Sequence, residues 1–457
     1  MSAVRTGAVG ASIERRDARP KATGEAKYAY EHQVEGVAYA ALVQSRMPRG
    51  RIVHVHGSRA LELQGVLAVI SHENAPRLNE TELGELFIFQ QPQVAYYGQI
   101  VAAVVAETLE TAREAAALVE VEIEPAEHDV TLRVDHPGLY KPKHVAHRTP
   151  ETRHGDVDAA LAAAAVRLDR VYTTPAEHNM PMEPHSSLAL WDSGSLTVYE
   201  STQYPHGFRG ALAALFGLEL DQVRVISPNV GGGFGSKGSP RPQVVVAAMA
   251  AQMIGRPVKI SLTRREMFPI SGHRPPTIQH IRVGANTDGT MTAWEHVSYS
   301  QTSQLNEFCE PCTTGARTMY AAPDRFNTHW VVRLDVPSPG FCRAPGEAPG
   351  FFALESALDE LAQQVGVDPV ELRIRNEPDR DPDTGEEFSS RNLVACLQEG
   401  ADRFGWWDRV PVREGQLLVG HGVASSMHPT WQAPSTARVS VLPDGPYVVS
   451  IAAADVG

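Results

Sequence analysis

The residues best suited to chemistry lie in Asn229-Val230-Gly231-Gly232-Gly233-Phe234-Gly235-Ser236-Lys237-Gly238, with five glycines in ten positions. Glycine lets main-chain N–H groups approach a ligand closely and takes positive φ without strain. A loop of bare N–H donors between a strand and a helix can hold an anion. The same composition also makes a tight structural turn, so both readings stand at this point. The spacing excludes two nucleotide motifs. A P-loop needs Gly-Lys-Ser/Thr, whereas Lys237 follows Ser236 and precedes Gly238. A G-x-G-x-x-G count from Gly231 puts Ser236 in the last place.

Three further groups could take part in chemistry. Gln203 follows a strand-like run, and a neutral amide beside a bare backbone loop suits an uncharged polar ligand group. Glu177-His178-Asn179-Met180-Pro181-Met182-Glu183-Pro184-His185 concentrates acids and imidazoles, which invites a metal. Pro181 and Pro184 break any helix, however, and the spacing does not match H-E-x-x-H, so a loop with internally bonded polar groups is the competing reading. Cys309 and Cys312 form a C-x-x-C without the second pair that a closed zinc site needs, which favours ordinary thiols.

These groups need elements to position them. Gln222–Ile226 reads as a strand leading into the glycine loop, and the apolar run 244–250 after it reads as a helix. A strand at 196–200, a helix at 208–215 and the Gln222 strand come in that order. If the two strands are neighbours, Gln203 comes close to Phe234. Upstream, strands are expected at 36–43, 67–70, 100–106 and 119–123, with Thr108 capping a helix between the last two. The stretch 258–294 is strand-rich, with a hairpin turn at Asp288-Gly289, and a short strand covers 331–334. A second Gly/Pro loop, Gly340 to Gly350, carries Arg343 and opens an amphipathic helix, 351–365. Asp368-Pro369 starts another helix, 393–404 is helical, and 417–426 and 437–442 read as strands.

Size and charge bound the function. A chain of 457 residues exceeds one core. Its formal charge of −13 argues against nucleic acid or an anionic membrane, because phosphate binding needs clustered Lys and Arg. No apolar run reaches the roughly 20 residues that span a bilayer, and Met1–Arg19 has no apolar signal core. The cytoplasm is the default location, with export alongside a signal-bearing partner left open. Four cysteines are too few for a disulfide framework.

In this order, several landmarks resemble the large, molybdenum-cofactor-binding subunit of the xanthine dehydrogenase/aldehyde oxidase family. They are the run Arg16 to Tyr28, the strand Tyr97 to Ala106, Met182-Glu183-Pro184-His185, the loop Gly231 to Lys237, and Arg343-Ala344-Pro345-Gly346-Glu347-Ala348. Leu358-Asp359-Glu360-Leu361-Ala362 and the following Gly366-Val367-Asp368-Pro369 and Glu371-Leu372-Arg373 complete the set. The resemblance implies an α+β protein with a small N-terminal α/β hammerhead-like domain at 11–124, a linker at 125–155, a first molybdenum-cofactor-binding domain at 156–378, and the start of a second, incomplete one at 390–457.

The resemblance also implies a site. Gln203 would hydrogen-bond an oxygen ligand of molybdenum. Gly232, Gly233, Phe234 and Gly235 would lie against the cofactor, and Arg343 and Ala344 would present backbone to its other side. No residue would ligate the metal directly. The cofactor is a molybdopterin, expected as the cytosine dinucleotide. The reaction is oxidation of an aldehyde, aromatic by preference, to the carboxylic acid with water as oxygen donor. Electrons would pass to a small 2Fe-2S subunit and an FAD-binding subunit, in a heterotrimer.

Departures limit the match. Purine-oxidising relatives carry an acid after the loop lysine, and Gly238 stands there, which favours an aldehyde over a purine or N-heterocycle. Near Thr430-Trp431-Gln432, some relatives have Arg where this chain has Gln432. Asp455-Val456-Gly457 resembles the start of a further glycine motif, and the family's general-base glutamate falls beyond Gly457, so the chain is expected to be C-terminally truncated. The alternatives are an inactive fragment or scaffold that keeps only subunit-binding surfaces, or a hydroxylase of a purine or N-heterocycle.

Overall fold

A computed structural model describes residues 10–12, 14–410, 412–428 and 434–451. Gln432 and Asp455–Gly457 lie outside the described residues. Fifteen strands build the main sheets. Below residue 126 they are β1 (Ala38–Gln44), β2 (Gly50–His56), β3 (Val66–Ser71), β4 (Gln93–Val94), β5 (Ile100–Ala106) and β6 (Glu120–Pro125). Next come β7 (Glu151–His154), β8 (Val166–Thr174), β9 (Ser186–Asp192), β10 (Ser195–Glu200), β11 (Val223–Ile226) and β12 (Val258–Ser261). The last are β13 (Thr277–Ala285), β14 (Met291–Ser303) and β15 (Asp324–Leu334). Most follow the expected runs. Thr108 caps its helix by accepting from the Thr111 N–H, and the Asp288-Gly289 turn joins β13 to β14 with Gly289 at φ 88°.

One sheet crosses the expected domain boundary. Its strand order is β11-β10-β9-β12-β1-β5-β3, so three strands of the N-terminal unit continue the sheet that carries the glycine loop. β1 pairs in parallel with β12, Ala38 opposite Val258. The helix Pro242–Ile254 covers this sheet. Every residue from Pro242 to Ala251 is buried, Gln243 included, so the helix is enclosed all round rather than on one stripe, as a central helix is. β5 is likewise buried along its whole length.

A second sheet, β7-β15-β14-β13-β8, supports the other loop. The helix Glu347–Val365 packs on β8 and β13 through Leu354, Leu358 and Leu361. Arg373 is fully buried against it, donating to Glu355 Oε2 at 2.7 Å.

Two expectations need correction. The stretch 258–294 contains a helix, Arg264–Ile270, with a Thr263–Glu266 capping box. The local cap overrides the surrounding strand pattern there. The strand expected at 417–426 is only Leu417–Val419, because its one pairing partner, Val412–Glu414, is as short. Within 125–155, β7 edges the second sheet and Leu132 and Leu139 pack on Val332, Leu334 and Val336. Apolar residues in a connecting segment are buried when a neighbouring sheet edge is open to them.

Candidate cofactor site

β10 and β11 are parallel neighbours, Val198 opposite Val225. Their C-terminal ends therefore release Gln203 and the glycine loop side by side. The Gln203 N–H donates to Lys237 O at 2.9 Å. Gln203 Oε1 accepts the Gly235 N–H at 3.0 Å. Gly233 must be glycine for close approach, because a Cβ there would collide with Gln203 Oε1. Gly235 must be glycine on two counts: its φ is 100°, and a Cβ would collide with the Phe341 carbonyl.

Phe234 takes φ 53° and is 44% exposed at the loop's tip. A non-glycine residue in this region costs about 1–3 kcal/mol and persists only when its surroundings hold it there. Asn179 does so, as its Nδ2 donates to Phe234 O at 2.6 Å and to Phe341 O at 3.2 Å, stapling the two loops together. Phe341 is also exposed.

Beneath the first loop sits a buried ion pair. Lys237 Nζ donates to Glu183 Oε2 at 2.8 Å and to Glu183 O at 2.9 Å. The same Oε2 accepts from Gly231 N at 2.7 Å and from Ser201 Oγ at 2.5 Å. Desolvation lowers the Lys237 pKa and the Glu183 carboxylate opposes that shift. His185 lies below, with Nε2 3.4 Å from Ser236 O, and burial pulls its pKa down to about 3, so it is neutral.

The second loop hangs from Arg274. Its Nη2 donates to the carbonyls of Cys342, Arg343 and Ala344, and its Nη1 pairs with Glu177. Its Nε lies 3.3 Å from Glu310, whose Oε1 accepts the Gly346 N–H at 2.6 Å. Burial pushes Glu310 up to about 7, against the Gly346 N–H and the Arg274 charge. Ala344 takes φ 57°. Arg343 is held by its carbonyl, while its side chain is exposed.

The polar run 177–185 is thus a scaffold: Glu177 serves Arg274, Asn179 joins the loops, and Glu183 anchors Lys237. Among the described residues no group of His, Cys, Asp and Glu could hold a metal ion. Cys309 and Cys312 are buried free thiols, and burial pushes Cys309 up to about 12.

What remains unspent shows what the site can bind. Among the described residues the N–H groups of Gly232, Gly233 and Phe234 have no acceptor, nor does that of Ala344, and Gln203 Nε2 donates to no protein group. Successive free N–H groups beside a neutral amide donor suit an anionic or oxygen-bearing group held without a direct protein–metal bond. A molybdopterin with an oxygen-ligated metal is such a group.

A model of the molybdopterin cofactor-binding domain matches residues 139–377, more than half of the chain. The chain belongs to the molybdopterin-binding subunit family of the xanthine dehydrogenases and aldehyde oxidases. A model of the aldehyde oxidase and xanthine dehydrogenase a/b hammerhead domain matches residues 23–127, so the α+β fold opens with a hammerhead domain. The chain is 40% identical over 456 residues to the aldehyde oxidoreductase molybdenum-binding subunit PaoC of Escherichia coli K12, covering 98% of this chain and 62% of that protein. It is 30% identical over 473 residues to a xanthine dehydrogenase molybdenum-binding subunit of Escherichia coli O157:H7, covering 96% and 63%.

Two solved structures share the fold. The CO dehydrogenase from Oligotropha carboxidovorans gives a TM-score of 0.76 at 25% identity, over 87% of this chain and 54% of that one. The aldehyde oxidoreductase from Desulfovibrio gigas gives 0.75 at 25%, over 87% and 46%. The chain thus spans about three-fifths of the length of the curated relatives it matches. Among the described residues no helix is long and apolar enough to cross a membrane.

Sequence reasoning missed Arg274 and the carbonyl-binding role of Asn179. Both act on main-chain carbonyls through long-range contacts, and nothing local marks them. Glu177 and Asn179 were visible as members of a polar cluster, but their partners were not.

Proposed function

We propose that this subunit oxidises an aldehyde to the carboxylic acid with water as oxygen donor, passing electrons to iron–sulfur and flavin partner subunits. The observation that carries the proposal is the set of unspent donors: the N–H groups of Gly232, Gly233 and Phe234 beside Gln203 Nε2. The cofactor, when bound, supplies the two-electron oxidation that adds an oxygen atom from water to the aldehyde carbon. Gln203, with its Oε1 fixed by Gly235, would offer its remaining donor to an oxygen of the cofactor. Gly232 to Gly235 form one wall, and the Arg343–Ala344 backbone, held by Arg274, forms the other. The rings of Phe234 and Phe341 are both exposed, and they would offer apolar surface to an aromatic substrate.

The aldehyde preference is supported by Gly238, which offers no side chain to a purine, and by the likeness to an aldehyde oxidoreductase subunit. Three carboxylates near the loops are committed: Glu183 to Lys237, Glu177 to Arg274, and Glu310 to Gly346 and Arg274. We therefore assign the general base to none of them. The cytosine dinucleotide form of the cofactor and a cytoplasmic location belong to the same proposal.

The test is to isolate the subunit, in its full-length form, with its neighbours. Molybdenum is measured by elemental analysis, and dye reduction is followed with benzaldehyde and with hypoxanthine. Stoichiometric molybdenum with turnover of benzaldehyde supports the proposal. Absence of molybdenum and of turnover sinks it, and faster turnover of hypoxanthine reassigns the substrate.

A further inference from the structure

Arg241 and Glu85 form a buried ion pair that the proposed chemistry does not use. Arg241 stands at the N-cap of the helix Pro242–Ile254 and is 2% exposed. Its guanidinium serves three parts of the chain. Nε donates to Ser236 O, inside the first loop, at 3.2 Å. Nη1 donates to Glu85 Oε1 at 3.2 Å. Nη2 fills the space where side chains of Gly272 and Gly340 would begin, since a Cβ on either would lie 2.6 or 2.7 Å from it.

Gly340 directly precedes Phe341, and its N–H donates to His273 O at 2.9 Å. The guanidinium therefore touches the root of the second loop as well as the carbonyl of the first. Glu85 arrives from the N-terminal unit on the turn Gly84–Leu86. A Cβ at Gly84 would lie 2.6 Å from Leu305 O, so that turn is pressed onto the segment following β14. The Glu85 N–H donates to Asn306 Oδ1 at 3.3 Å, which fixes the carboxylate's approach.

We propose that Arg241, oriented by Glu85, is a positioning residue that sets the spacing of the two loops and couples it to the seating of the hammerhead domain. The proposal rests on the assignment of those loops as the walls of the cofactor site. A planar fork suits this task, because it can serve a carbonyl, a carboxylate and a backbone slot at once, whereas an ammonium is a point charge. An ordinary structural ion pair would stabilise the whole protein without a particular effect on either loop.

Hydrogen exchange read by mass spectrometry on the full-length subunit in its complex separates the two cases. For Glu85→Gln, amide exchange should rise about ten-fold in peptides covering both 231–238 and 340–346, with β13 and β14 unchanged. Arg241→Lys should give the same pattern despite keeping its charge, and should lower kcat on benzaldehyde about ten-fold while KM stays within about two-fold. An equal rise across β13 and β14, no rise in the loops, or restoration of native loop exchange by lysine would each overturn the proposal. The exchange readout is independent of the substrate, so a failure of the aldehyde assignment leaves it standing, and the reverse also holds.

Discussion

Gln203 Oε1 accepts the N–H of Gly235 at 3.0 Å, so the amide that follows β10 is locked against the glycine loop that follows β11. One end of the amide is spent on structure and the other stays available. The two ends can be separated by mutation.

Gln203→Glu keeps an acceptor for Gly235 and removes the free donor. In the full-length enzyme, kcat/KM for benzaldehyde should fall about 10²-fold, the cost of one oriented donor, with little change in urea stability. Gln203→Leu should add a stability loss of about 1–2 kcal/mol by leaving the Gly235 N–H unmet. Equal kinetics for Gln203→Glu and the parent would remove Gln203 from the site.

Gly235→Ala should destabilise the protein by about 2–3 kcal/mol, since φ is unfavourable and the obstructing atom, Phe341 O, is backbone. Gly238→Ala has Gly235 O as its nearest neighbour at 3.2 Å and no positive φ, and should cost less than about 1 kcal/mol. Urea unfolding of the two variants side by side checks the ranking.

Lys237→Met leaves the Glu183 carboxylate buried without its cation, and should cost about 3–5 kcal/mol. Adding Glu183→Gln should recover part of that loss, because the penalty lies in the unpaired charge. A double variant less stable than Lys237→Met alone would show that Glu183 works mainly through Gly231 and Ser201.

Glu200 is 1% exposed at the end of β10, and among the described residues the Ser187 and Gln243 side chains stand close enough to oppose its desolvation, without forming a well-aligned hydrogen bond. Burial raises its pKa from 4.5 to about 8. A raised carboxylate pKa means that the folded state holds the proton longer than the unfolded state. Its contribution is therefore fully present below pH 4.5 and lost as pH rises through 8. Glu200→Gln should match the parent near the acid end of that window and exceed it in melting temperature at the alkaline end. His185 and His273, held down to about 3 from 6.5 by burial, act in the opposite sense: their contribution is lost as pH falls from 6.5 towards 3. A melting profile of Glu200→Gln that parallels the parent across the window would show that Glu200 does not titrate there.

Much of the architecture was legible in the chain because it depends on near neighbours. The periodicity of 109–118, the uninterrupted apolar run of β5, the Asp288-Gly289 turn and the Asp368-Pro369 helix start all depend on residues a few positions apart. The helix Arg264–Ile270 was one exception, hidden in a region whose overall strand character masked a local capping box. The family was legible from ordered motifs, and so were the loops at Gly231 and Arg343.

By itself, the sequence determined that Gly231 to Gly238 is a bare loop between a strand and a helix, that this loop is neither a P-loop nor a G-x-G-x-x-G fingerprint, and which family the chain resembles. Only the tertiary structure decided that β10 and β11 are adjacent, that Asn179 ties Phe234 to Phe341, and that Arg274 holds the second loop by its carbonyls. It also decided that the glutamates of the 177–185 run pair with Arg274 and Lys237. The reason is physical. A backbone carbonyl looks the same in every residue, so the partner of a buried guanidinium or amide is set by which distant segments the sheets bring together.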